Sequence, residues 1–93
     1  MIIGVLRLDL YLPSALSLKD KRAILRMLKD RIKNGFNVSV AEVDALDKWQ
    51  RAVVGITTAG NDKQYINGLL DKIVDLVQGV KSVELLDYQI EII

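Results

Sequence analysis

Arg22, Arg26, Lys29 and Lys33 recur at steps of four, three and four residues. On a helix that spacing sets four cations along one side. At about 1.5 Å of rise per residue the line is roughly 16 Å long. That is enough to follow about two or three phosphates of a nucleic-acid strand. An RNA or anion surface and a merely solvated helix face both account for it. Lys19, Lys21 and Arg22 add a second signal. They fall where the helix should begin, and the helix dipole disfavours cations there. Free N–H groups beside cations would hold a phosphate or carboxylate. A tertiary salt bridge from the acidic stretch 42–47 explains the same residues equally well.

Charge is unevenly spread. Residues 19–33 hold seven basic and two acidic side chains, while the rest of the chain holds six basic and ten acidic. The net charge of +1 hides this local dipole. There is no Cys and no His. Disulfides, thiolate chemistry, most zinc sites and imidazole acid–base catalysis are therefore excluded. Glu42, Asp44, Asp47, Asp62 and Glu91 are the remaining candidates for metal binding or hydrolysis. Turns are ordinarily acidic, and nothing in the spacing sets two of these groups across a cleft. No glycine fingerprint for phosphate or dinucleotide binding occurs. The expectation is a protein without catalytic residues, metal or cofactor.

A second candidate surface comes from Tyr11, Trp49, Arg51 and Val53. Trp49 is a candidate interface anchor. The other three belong to the expected open face of a sheet, with Arg7, Asp9, Asn37, Ser39 and Thr57. Small residues there, Ser39, Ala41 and Gly55, suit packing between subunits, so a homodimer or protein partner is the competing expectation. No central pair of aromatics is present to stack RNA bases. Arg7 and Asp9 point the same way along one strand and should pair across strands.

These residues need a scaffold. Residues 2–12 alternate, with Gly4, Leu6, Leu8, Leu10 and Leu12 on one face. Pro13 stops that strand. Ser17 then caps a helix, with Asp20 three residues on. Ile24, Leu25, Leu28 and Ile32 form its apolar stripe, with the stem of Lys21 at the edge. Asn34-Gly35 should end it through a left-handed glycine. Phe36, Val38 and Val40 mark a second strand, residues 42–48 a turn, and residues 49–58 a third strand pairing with the second as a hairpin. Asp62 opens a second helix with Tyr65, Ile66, Leu69, Leu70, Ile73, Leu76 and Val77 on its apolar face, ended by Gly79. Residues 81–93 form a last strand whose alternation slips once, the sign of a β-bulge.

The order β-α-β-β-α-β, with right-handed crossovers, gives one α+β domain over residues 1–93. It is a ferredoxin-like plait, an α/β sandwich with an antiparallel sheet in the order 4-1-3-2 and both helices on one face. No apolar run approaches the ~18–20 residues of a membrane span. With no Cys in so small a chain, a cytoplasmic, non-membrane protein is expected.

Several blocks carry a resemblance: Leu12-Pro13, then Ser17-Leu18-Lys19-Asp20-Lys21-Arg22, then residues 36–43, then Asp47-Lys48-Trp49-Gln50-Arg51-Ala52, with Gly55 and Asp62. In this order they resemble the YlxP-like family of small bacterial proteins, across nearly the whole chain. The resemblance implies a ferredoxin-like fold. It also implies an RNA- or ribosome-associated role, since some members are encoded among translation and ribosome-maturation genes. It brings no catalytic residues.

Overall fold

The computed structural model describes residues 1–93. Six elements follow one another: β1 (Ile2–Tyr11), α1 (Leu18–Gly35), β2 (Ser39–Asp44), β3 (Arg51–Gly60), α2 (Lys63–Gln78) and β4 (Glu84–Ile92). The strands form one antiparallel sheet in the order β2-β3-β1-β4. This is the ferredoxin-like plait, with both helices on one face.

Alternation in β1 decides which face is covered. Leu6, Leu8 and Leu10 are fully buried and meet Ala52, Val54 and Ile56 of β3 in register. Ile66, Leu70, Ile73, Val74 and Val77 of α2 and Leu28 and Ile32 of α1 complete the core. Gly4 lets α2 approach β1 closely. A Cβ on Gly4 would sit 2.5 Å from the Ile66 side chain and 3.1 Å from Leu70.

Several expectations need correction. α1 runs through Gly35 to a cap at Phe36, and no glycine has positive φ. The helix thus ends by passing into extended backbone at Phe36, whose N–H reaches the Ile32 carbonyl at 2.9 Å. β2 begins at Ser39, and Glu42 to Asp44 belong to it rather than to the turn. Tyr65 lies outside the apolar face of α2, at 68% exposure. The slip in β4 is a register shift: Asp9 pairs with Asp87 and Leu10 with Leu85, leaving Leu86 as the extra residue. A second shift leaves Val43 unpaired in β2.

Candidate nucleic-acid interface

α1 is fixed at its start by two reciprocal bonds. Ser17 Oγ accepts the Asp20 N–H at 3.0 Å, and Asp20 Oδ2 accepts the Leu16 N–H at 3.0 Å. The carboxylate thus offsets part of the dipole penalty on its basic neighbours. From this start the apolar side of α1 turns to the sheet. Lys19, Arg22, Arg26, Lys29 and Lys33 all turn to solvent.

Three ion pairs occur in the chain, and none involves those five residues. Their charge is uncompensated at contact range. A row of unpaired cations on one helix face raises the local positive potential.

Lys21 has a different position from its neighbours. It is 1% exposed, and its ammonium sits among the carbonyls of Ala45 (2.9 Å), Leu46 (3.3 Å) and Arg51 (3.2 Å), with Glu42 Oε2 at 2.6 Å. Three carbonyls take the three N–H hydrogens, and the carboxylate supplies the counter-charge. Of the two readings of the basic first turn, Lys21 follows the tertiary salt bridge. It has no donor left for an external anion.

The loop that serves Lys21 is bent to do so. Ala45 has φ 57°, the one non-glycine residue with positive φ. That left-handed turn, assisted by the Asp44 carboxylate accepting the Ala45 N–H at 2.7 Å, precedes the two successive carbonyls that face Nζ. Nothing in the residue type of Ala45 signals it, since left-handed backbone ordinarily selects Gly or Asn.

Between α1 and β2 lies a groove of about 300 Å³. Leu25, Leu28, Val40 and Val54 make its apolar floor, and Arg22, Arg26 and Lys29 its rim. Sequence reasoning missed this groove. Its one legible sign is that Leu25 and Arg26 are adjacent on a helix, so floor and rim meet there.

The second candidate surface divides. On the open face, Arg7 pairs with Asp44 at 3.8 Å and Arg51 with Asp9 at 3.6 Å, as cross-strand pairing predicts. Tyr11 faces Arg51 in register and is partly buried. Val53, expected on the exposed face, is only 7% exposed. It lies in register between Asp9 and Asp44, whose pairings with arginines flank it. Trp49 precedes β3 and is 55% exposed. Three of the five acidic candidates are employed structurally: Glu42 and Asp44 as above, and Asp62 as the N-cap of α2, accepting from Gln64 and Tyr65; Asp47 and Glu91 are exposed. No three carboxylates come together as a metal-binding group. No helix is long and apolar enough to cross a membrane.

The family model described as "Protein of unknown function (DUF503)" matches residues 3–90. The "Uncharacterized protein YlxP" of Bacillus subtilis (strain 168) is 30% identical over 83 residues, covering 89% of this chain and 90% of that protein. The chain belongs to the DUF503 family, which its likeness to YlxP also supports.

Proposed function

We propose that this protein is an RNA-binding, ribosome-associated factor of the cytoplasm. It grips the RNA backbone with Lys19, Arg22, Arg26, Lys29 and Lys33 of α1 and acts by binding, without catalysis. The observation that carries this reading is the contrast within one helix. Lys21 is consumed internally, while five neighbouring cations face water with no acidic partner. Backbone phosphates supply the missing counter-charge, and release of their condensed counterions drives association. Fluorescence-anisotropy titration of RNA at low salt tests it. The expected result is binding by the native chain, and much weaker binding when Arg22, Arg26, Lys29 and Lys33 are all changed to Gln. Absence of binding at low salt overturns the reading.

One observation favours a second reading, a protein partner or homodimer. Val43, Leu46 and Trp49 are 53, 61 and 55% exposed within one short segment. Exposed apolar groups so placed suit a contact surface. Sedimentation showing a monomer at tens of micromolar overturns the homodimer form.

A further inference from the structure

The groove beside α1 presents an apolar floor, a cationic rim and a strand edge, and the Glu42 carboxylate, paired with Lys21 Nζ, is also in its lining. Its floor is apolar, made by Leu25, Leu28, Val40 and Val54. Its rim is cationic, made by Arg22, Arg26 and Lys29, and none of the three has a carboxylate partner. Its sheet wall is β2, an outermost strand. Alternate N–H and C=O groups of β2 therefore lack a strand partner on that side.

A single-stranded nucleotide offers the complement of each. Its base has flat faces for an apolar floor, its edge carries donors and acceptors for a strand backbone, and its phosphates meet the rim. In a duplex the faces and pairing edges are hidden, and only the cations remain useful. The groove volume of about 300 Å³ is at the small end for ligand sites.

Two other occupants fit less well. A second copy added along β2 brings α1 beside α1, so the two cationic rows repel. An extended acidic peptide needs a run of regular edge, and here the register breaks after Glu42, leaving only the segment Ser39 to Glu42.

We infer that this groove receives an unpaired base of single-stranded RNA, with the flanking phosphates on Arg22, Arg26 and Lys29. The inference rests on the reading of α1 as an RNA-binding face, and it makes the protein a reader of unpaired segments rather than of duplex.

Four probes test it at matched salt: a short oligouridylate, a short oligoadenylate, a blunt-ended RNA duplex and an alternating Glu/Val peptide. Affinity is read by anisotropy, and site by amide NMR shifts on the native chain. The single strands should bind tighter than the duplex by on the order of tenfold, and shift the amides of Leu25 and of Ser39 to Glu42. Leu25→Gln, which makes the floor polar without adding an aromatic face or changing a cation, should bring single-strand affinity down to the duplex value. If this variant does not fold, the amide shifts of the native chain decide alone. Equal affinity for strands and duplex, with the β2 amides unmoved, overturns the groove and leaves the RNA face standing. No binding by any probe overturns both. Amide shifts with an alternating Glu/Val peptide, and none with RNA, assign the groove to protein and overturn the inference.

Discussion

Lys21 Nζ lies 2.6 Å from Glu42 Oε2 inside the fold, joining the first turn of α1 to the edge strand β2. Removing one partner leaves the other buried and unpaired. Lys21→Met should therefore destabilise the chain by about 3–5 kcal/mol. Three backbone carbonyls also lose their donor, so adding Glu42→Leu to Lys21→Met should not restore full stability. Urea denaturation at constant pH measures both. Lys29→Gln in the same experiment should stay within about 0.5 kcal/mol, because that side chain is exposed and unpaired.

Ala45 should be improvable. Its φ of 57° belongs to the region where a Cβ costs energy. Ala45→Gly removes that cost, of about 1–2 kcal/mol, and gives back part of it because glycine raises the entropy of the unfolded chain. A rise in thermal midpoint of a few degrees is expected. A fall would show that the loop does not hold this conformation.

Gly4 should tolerate no side chain. Ile66 of α2 occupies the space a Cβ would need. Gly4→Val should cost about 1–3 kcal/mol through overpacking, read as a lower urea midpoint with an unchanged slope. The nearby cap gives an independent control. Asp62→Ala removes the acceptor for Gln64 and Tyr65 and should cost about 1 kcal/mol.

The sheet-face ion pairs should contribute little. Arg51 and Asp9 are 3.6 Å apart with half-exposed side chains. Arg51→Gln should change stability by at most about 1 kcal/mol, and less at high salt. A larger loss would mean that covering Val53 matters more than the charge.

Period and punctuation made the architecture legible. Leu6, Leu8 and Leu10 at period two, Leu28 and Ile32 one turn apart, and the caps Ser17 and Asp62 all lie where their residue types require. The phase slip near Leu86 was readable for the same reason. What was not readable depends on tertiary contact. The spacing 21, 25, 28, 32 sets Lys21 at the edge of the apolar stripe, but only tertiary contact with Glu42 and the Ala45 loop makes it internal while Lys19 stays free. Glu42 looked like a turn residue because strand and turn acids have identical composition. The left-handed ending expected at Gly35 failed because extended backbone at Phe36 closes the helix with an ordinary φ of −144°. The order 4-1-3-2 already makes β2 an edge; the groove further required knowing how far α1 stands from that edge.

The division of α1 into one internal lysine and an external cationic row is tested most directly by the salt dependence of RNA affinity. The native chain should lose affinity linearly on a log–log plot, with a slope near −0.7 per phosphate contact on single strands, so roughly −1.5 to −2 for the two or three phosphates the row spans. Changing Arg22, Arg26, Lys29 and Lys33 together to Gln should flatten that slope toward zero while the urea midpoint stays put. An unchanged slope in the fourfold variant would contradict the account.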